Sequence, residues 1–380
     1  MKRVALLGST GSIGQSTLKV VEDLPGRLKL AGLAAGSNAV ELAKQINLHK
    51  PSAACIFDPA KLPELKKLVK TPTRLLSGPE GLIELATMAE ADVVLIAIVG
   101  TAGLHPALAA IEAGKHIAVA SKEILVMAGE IVMDAAKRRN VRILPVDSEH
   151  NAIWQCIEGS PNHEVRNLWL TASGGPFRNT PAEDFDKITV KDALKHPTWN
   201  MGAKITIDSA SLMNKGLEMI EARWLFHIEM QRVKVIIHPQ SVVHSMVEFV
   251  DGSLLAQLCE PNMRLPIQFA LTYPERLNNT LPHADFNKIR KLEFELPDEE
   301  RFPAIRLARE AGIRGGTTPA VFNAANEVAV DRFVKGRISF PKIWGLVEQV
   351  LNKHQTIEHP SLDTILQTDQ WAREEAAKIN

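Results

Sequence analysis

Three groups of residues in this chain have the types and spacing that chemistry needs. The first is Asp147-Ser148-Glu149, at the end of the β-branched run Val141–Val146. Residues two apart on a strand point the same way, so both carboxylates can converge on one ion. The same triplet also reads as a solvated acidic strand-to-helix turn. The second group is Asn214-Lys215 with Glu218, inside the long helical run Ser209–Phe226 whose apolar stripe holds Leu212, Met219 and Ile220. Asn214 and Glu218 share a helix face, with Lys215 at its edge. Asp147, Glu149 and Glu218 make a three-carboxylate set, the hard oxygen donors that suit Mg²⁺ or Mn²⁺, with Co²⁺ a further option. Taken singly, Glu218 is a surface helix charge. The third group suits an anion. Ser173-Gly174-Gly175 follows the strand Val165–Thr171, Ser209 and Ser211 begin the long helix, and Lys215 lies one turn in. Hydroxyls, an ammonium and helix N–H groups are the components of a phosphate cradle. His196 precedes an irregular Trp199–Met201 loop whose apolar side chains would cover a sugar and exclude water as a flap. A lone histidine is more often structural.

These groups need a scaffold, and the N-terminal part supplies one. Short apolar strands (Val4–Leu7, Leu28–Ala34, Ala53–Phe57, Asp92–Val99, His116–Ala120, Val141–Val146) alternate with helical stretches such as Val40–Leu48 and Lys122–Arg139. That alternation predicts a parallel, doubly wound sheet. Gly8-Ser9-Thr10-Gly11-Ser12-Ile13-Gly14 follows the first strand and opens the first helix. Such a turn lets the backbone approach a pyrophosphate at a helix N-terminus. The spacing is G-x-x-G-x-x-G, weak evidence alone; the strand before it and the helix after it are the required context. The second strand ends in Ala35-Gly36-Ser37-Asn38, with no acid until Glu41. No carboxylate there would repel a 2′-phosphate, so NADPH is favoured over NADH. Asn38 can also serve simply as a helix cap.

Beyond Val146 the pattern changes to α+β. A helix over Asn151–Glu158, strands Val233–Ile237, Val242–Val250 and Ser253–Leu258, and a hairpin at Asp251-Gly252 are predicted. Tyr273–Pro303 is charged and punctuated by proline, as a linker is. Helices follow: one capped at Thr318-Pro319 and closing near Gly336, one from Ser339-Phe340-Pro341, and a last one over Leu362–Ile379. The chain has 380 residues, 45% hydrophobic, enough for two or three domains. Lys+Arg and Asp+Glu are both 44, which argues against a nucleic-acid partner. Cys55, Cys156 and Cys259 are scattered, so neither a disulfide framework nor a zinc cluster is expected. The longest apolar run, Val93–Val99, is strand-sized, and nothing resembling a signal peptide precedes the first strand. A cytoplasmic protein with no membrane partner is expected.

With these residues in view, the chain resembles the 1-deoxy-D-xylulose 5-phosphate reductoisomerase family. The likeness rests on residues 8–14, Ala-Ser-Lys-Glu at 120–123, Asp-Ser-Glu-His at 147–150, Ser-Gly-Gly-Pro-Phe at 173–177 and His-Pro-Thr-Trp-Asn-Met-Gly at 196–202. It extends to Asn-Lys-Gly-Leu-Glu at 214–218, Ile-His-Pro-Gln-Ser at 237–241 and Asn-Ala-Ala-Asn-Glu at 323–327. The resemblance implies NADPH-dependent conversion of a small phosphorylated sugar, 1-deoxy-D-xylulose 5-phosphate, to 2-C-methyl-D-erythritol 4-phosphate in non-mevalonate isoprenoid biosynthesis. It implies a homodimer with a Rossmann-like NADP-binding domain (1–146), a central α+β catalytic and dimerisation domain with a flap (147–273), a linker (274–302) and a C-terminal helical domain (303–380). By motif, Asp147, Glu149 and Glu218 would bind metal. Ser148, Glu149, Ser173, His196, Ser209, Asn214, Lys215 and Glu218 would hold substrate. Thr10, Gly11, Ser12, Ile13, Gly36, Ser37, Asn38, Ser121, Lys122, Glu123 and Gly202 would contact NADPH. Lys122, Glu149 and His196 are the catalytic candidates. The family often carries Lys or Arg where Ser37 stands, so weaker NADP selectivity is expected; it often carries Asn where Ser121 stands, and there a polar contact is kept and little change is expected. Two other readings are a different NADP-dependent α/β oxidoreductase and a non-catalytic NADP sensor. Either would lack the joint carboxylate and phosphate groups.

Overall fold

The computed structural model describes residues 1–195 and 202–379. In chain order the first half runs β1 (Lys2–Leu7), α1 (Ser12–Asp23), β2 (Leu28–Ala35), α2 (Ala39–His49), β3 (Ala53–Ile56), α3 (Leu62–Leu68), β4 (Arg74–Ser77), α4 (Gly78–Ala86), β5 (Val93–Ile96), α5 (Leu104–Glu112), β6 (His116–Val119), α6 (Glu123–Arg139), β7 (Ile143–Pro145) and α7 (Ser148–Ile157). Then come β8 (Val165–Ala172), α8 (Val190–Ala193), α9 (Ala203–Ala210), α10 (Met213–Leu225), β9 (Val233–Ile237), β10 (Val243–Phe249), β11 (Leu254–Leu258) and α11 (Arg264–Thr272). The last helices are α12 (Ala304–Arg314), α13 (Thr318–Val334), α14 (Lys342–Lys353) and α15 (Leu362–Lys378).

The chain divides into two compact units. The first gathers residues 1–124, 132–151 and 262–282. Its sheet has seven strands in the order β4-β3-β2-β1-β5-β6-β7. Every pairing is parallel. The central strands read as continuous apolar runs because a parallel sheet with helical crossovers is covered on both faces: Val4, Ala5, Leu6 and Leu7 are fully buried. The expected α/β, Rossmann-like class is what the sheet shows. The strand missing from the sequence reading is β4, four residues at a sheet edge with an exposed Arg74, too short and too polar to stand out. β5 is also shorter than expected, since the backbone leaves the sheet after Ile96 and enters a 3₁₀ turn at Gly100–Gly103.

The second unit gathers 125–131, 152–261 and 283–380. Its four-stranded sheet has the order β11-β10-β8-β9, antiparallel except for the β8–β9 pair. The expected hairpin is there: Gly252 takes φ 89° between β10 and β11, and Asp251 accepts the Ser253 N–H at 2.9 Å. Helices pack on an aromatic cluster in which Phe340 lies 5.1 Å from Phe177 and 5.2 Å from Trp344, centroid to centroid, both edge-on. Such pairs add about 0.5–1.5 kcal/mol each beyond their buried area. The charged segment before α12 is tied to the β9 edge by a bridge between Ile237 and Glu295 and by the Phe294 ring stacked on His238.

Two local expectations change. The run Ser209–Phe226 is two helices, not one. Ser211 turns its hydroxyl back onto the Ile207 carbonyl at 2.9 Å, and Leu212 takes a left-handed φ of 58° before α10 begins. An apolar stripe survives a one-residue break, so periodicity cannot detect it. Helix α13 begins one residue early, with Thr317 rather than Thr318 at its N-cap and Pro319 in the first turn.

Candidate active site

In the first unit, the glycine-rich turn is shaped by what a side chain would hit. Gly8 takes φ 97°, and a Cβ there would lie 2.3 Å from the Ala97 carbonyl oxygen. A Cβ on Gly14 would lie 2.3 Å from the Gly8 carbonyl oxygen, so α1 starts flush against its own strand-end turn. Gly11 is the N-cap, its own N–H donates to the Gly8 carbonyl at 3.2 Å, and no side chain caps the helix. At the end of β2, Gly36, Ser37 and Asn38 are exposed. Asn38 caps α2, accepting the Glu41 N–H at 3.1 Å, as its bland reading required. Glu41 itself is tied to Lys44 at 3.2 Å and Gln15 at 3.3 Å.

The carboxyl ends of β6 and β7 carry the polar cluster, as ligand sites in open α/β sheets do. Ser121, Lys122 and Glu123 follow β6 and are buried; the Ser121 hydroxyl donates to the Ile98 carbonyl. The Lys122 ammonium sits 2.5 Å from Asp147 Oδ2, with the two side chains 7% and 12% exposed. His150, fully buried, places Nδ1 3.9 Å from Asp147 Oδ1. Burial alone would push the Asp147 carboxyl up. The Lys122 charge and its hydrogen bond, together with the nearby His150 ring, outweigh it and hold the carboxyl well below the usual carboxylate range. Asp147 is therefore ionised at neutral pH, the state a cation ligand needs. Ser148 donates its hydroxyl to Glu149. The Asp147 and Glu149 carboxylates do come together, each offering an oxygen within 4.8 Å of the other, but not through strand alternation. β7 ends at Pro145 and α7 starts at Ser148, so Glu149 is a first-turn helical residue following an Asp at the helix entrance.

The second unit carries the other half of the expected residues. Ser173 follows β8, and its hydroxyl accepts the Gly175 N–H at 3.2 Å. Gly174 and Gly175 take φ of 84° and 67°, and a Cβ on Gly175 would lie 3.0 Å from both the Ser209 carbonyl and Ala210 Cα. The loop therefore lies directly against the last turn of α9, bringing Ser173 and Ser209 into one neighbourhood. Ser209 sits at the end of α9 and Ser211 just beyond it, so neither begins the helix carrying Lys215. On α10 the predicted face is intact: Asn214 donates its amide to Glu218 Oε1 and Lys215 its ammonium to Glu218 Oε2. Lys215 and Glu218 are 4% and 1% exposed at their side chains, so Glu218 is not the surface charge of its bland reading. His196 and the flap around Trp199 and Met201 lie outside the described residues; Gly202 is exposed at the N-cap of α9.

Buried polar residues that the sequence reading passed over include His150, His244 and Asp208. Spacing offered one clue, since His150 stands three after Asp147. His244 on β10 lies 3.2 Å from the Cys259 carbonyl, and burial pushes its ring down to about 4.

Comparison with known proteins agrees along the whole chain. Residues 4–129 match the family model for 1-deoxy-D-xylulose 5-phosphate reductoisomerase. Residues 143–226 and 258–375 match models of the C-terminal domains of the same enzyme. The 1-deoxy-D-xylulose 5-phosphate reductoisomerase of Pelotomaculum thermopropionicum is 52% identical over 381 residues, covering 100% of this chain and 98% of that protein. That of Heliobacterium modesticaldum is 53% identical, covering 98% and 96%. The reductoisomerase of Zymomonas mobilis in complex with NADPH superposes with a TM-score of 0.94 at 44% identity, covering 99% of this chain and 98% of that one. A reductoisomerase structure in complex with NADPH, fosmidomycin and magnesium gives 0.93 at 41% identity, with the same coverage. By sequence and by fold, then, the chain belongs to the 1-deoxy-D-xylulose 5-phosphate reductoisomerase family.

Proposed function

We propose that Asp147, Glu149 and Glu218 hold a divalent cation, Mg²⁺ or Mn²⁺, for the reaction of this family. The protein is an NADPH- and metal-dependent oxidoreductase that rearranges and reduces 1-deoxy-D-xylulose 5-phosphate to 2-C-methyl-D-erythritol 4-phosphate in isoprenoid biosynthesis. The observation that carries the metal assignment is the Asp147 carboxylate, kept ionised by Lys122 and His150 at the carboxyl edge of the parallel sheet. All three donors are hard oxygens, which fits the ion. Held by these residues, the cation would supply Lewis acidity and NADPH the hydride.

The chain's own residues do the positioning. Ser173, Ser209, Asn214 and Lys215 hold the phosphate, Lys215 with a charge and the others with hydrogen bonds. Ser148 and Glu149 hold the sugar end, with His196 as a further contact. Thr10 to Ile13 cradle the pyrophosphate, Gly36 to Asn38 face the 2′-phosphate, and Ser121, Lys122, Glu123 and Gly202 line the nicotinamide side. Lys122 and Glu149 are the candidates for moving a proton, with His196. Residues 147–273 make the catalytic and dimerisation part and 303–380 the helical part, joined by 274–302. A homodimer is supported by the open edge of the four-stranded sheet: β11 exposes Leu254 at 55% and Leu255 at 49%, whereas the β9 edge is bridged by Glu295. Among the described residues no helix is long and apolar enough to cross a membrane, in keeping with a cytoplasmic enzyme. Incubation with 1-deoxy-D-xylulose 5-phosphate, NADPH and Mg²⁺, followed by mass spectrometry and NMR, tests this reading. Formation of 2-C-methyl-D-erythritol 4-phosphate is expected; NADPH consumption with any other product would refute it.

A further inference from the structure

The motif Asn323–Glu327 on α13 has no part in the reaction as described, yet it reaches α9. Asn326 is fully buried and donates its amide to Asp208 Oδ1 at 2.9 Å. The other Asp208 oxygen lies 2.7 Å from the Lys204 ammonium, one turn earlier on the same helix. Asp208 is 1% exposed, and a carboxylate is costly to bury unless both oxygens are satisfied. A second directional bond reaches the same helix end: the Trp344 indole N–H donates to the Ser211 carbonyl at 3.0 Å. On the other side, Gly175 touches the Ser209 carbonyl and Ala210, where a Cβ would come within 3.0 Å. The last turn of α9 is thus fixed between the Ser173–Gly175 loop and two hydrogen bonds from helices α13 and α14.

Apolar packing would hold α9 in place but tolerate rotation about its axis. A hydrogen bond to one carboxylate oxygen does not. Ser209 is the next residue after Asp208, about 100° further round the helix. A rotation of roughly 20° would carry its hydroxyl about 1 Å, a displacement that can cost on the order of 100-fold in a positioned site. We propose that Asp208, paired with Asn326 and Lys204, is a positioning residue that sets the rotation of α9 and so aims Ser209 at the substrate phosphate. The inference rests on the reading of Ser209 as a phosphate ligand.

The test is steady-state kinetics of the full-length enzyme with 1-deoxy-D-xylulose 5-phosphate, NADPH and Mg²⁺. Asp208→Asn should raise the KM for the sugar phosphate roughly 10- to 100-fold while the KM for NADPH stays within about twofold. Asn326→Asp in that background reverses the polarity of the pair and should restore the sugar-phosphate KM to within about fivefold of wild type. An unchanged sugar-phosphate KM with only a lower Tm would reduce Asp208 to a fold anchor and overturn the proposal. A rise in KM that Asn326→Asp leaves untouched would overturn it too. Should Asp208→Asn fail to fold, Trp344→Phe, which removes the bond to Ser211, is read by the same KM criterion. Ser209→Ala separates the two levels: no effect on the sugar-phosphate KM would refute the phosphate reading itself, whereas an effect there without one at Asp208 refutes only the positioning role.

Discussion

Gly14→Ala should impair NADPH binding although it improves helix propensity. Gly14 lies within the first turn of α1, where Ala is intrinsically favoured over Gly by about 1 kcal/mol. Against that, the new Cβ would stand 2.3 Å from the Gly8 carbonyl oxygen and 2.5 Å from Ser9 backbone atoms. Ordinary contact requires about 3.3 Å or more, so the start of α1 must retreat by roughly 1 Å. The obstacle is backbone, not the end of a flexible side chain, and overpacking of this kind costs about 1–3 kcal/mol. The steric term exceeds the propensity gain, and it acts at the helix N-terminus proposed to receive the pyrophosphate. The expected result is a KM for NADPH raised at least about tenfold, equivalent to about 1.4 kcal/mol, with a smaller change in the KM for the sugar phosphate. Initial rates at varied NADPH, alongside Tm with and without the cofactor, measure both. A variant that is more stable and binds NADPH as well as wild type would show that α1 does not start flush against the glycine turn.

Ser37→Arg should raise the preference for NADPH over NADH about tenfold or more in kcat/KM, since a guanidinium bonded to the 2′-phosphate contributes about 1.5–3 kcal/mol; an unmoved ratio would place Ser37 away from that phosphate. Glu218→Gln should abolish turnover and leave the KM or Kd for NADPH nearly unchanged, so full activity at saturating metal would remove it from the site. His244 has a ring pushed down to about 4 in the folded protein, below its ordinary 6.5. The unfolded chain therefore binds the extra proton first, and stability should fall by about 1.4 kcal/mol per pH unit as pH drops from 6.5 toward 4. Chemical denaturation at several pH values should show a shallower loss for His244→Asn, and identical slopes would refute the assignment.

Much of this was legible because the signals were local and repeated. Buried parallel strands such as β1 and β5 carry their apolar runs in the sequence, and the Asn214–Glu218 face follows from helical spacing alone. The hairpin at Asp251-Gly252 was equally readable, since a turn there requires a residue tolerant of positive φ. What escaped depended on contacts distant in sequence or on single residues. Leu212 breaks a helix without disturbing its stripe. β4 is a polar edge of four residues. Glu149 reads as a strand-end residue because nothing local marks where β7 ends. Asp208 gains meaning only from Asn326, 118 residues away. The cofactor choice was readable for a different reason: it rests on the missing acid at the end of β2, which is visible in one line of sequence.

The most direct test of the central claim is the initial rate of NADPH oxidation with 1-deoxy-D-xylulose 5-phosphate after chelation and then re-addition of Mg²⁺. No turnover is expected in the chelated enzyme, with recovery on adding Mg²⁺ or Mn²⁺ and no recovery in Glu218→Gln. Turnover that survives complete metal removal, or a Glu218→Gln enzyme that recovers like wild type, would contradict the claim.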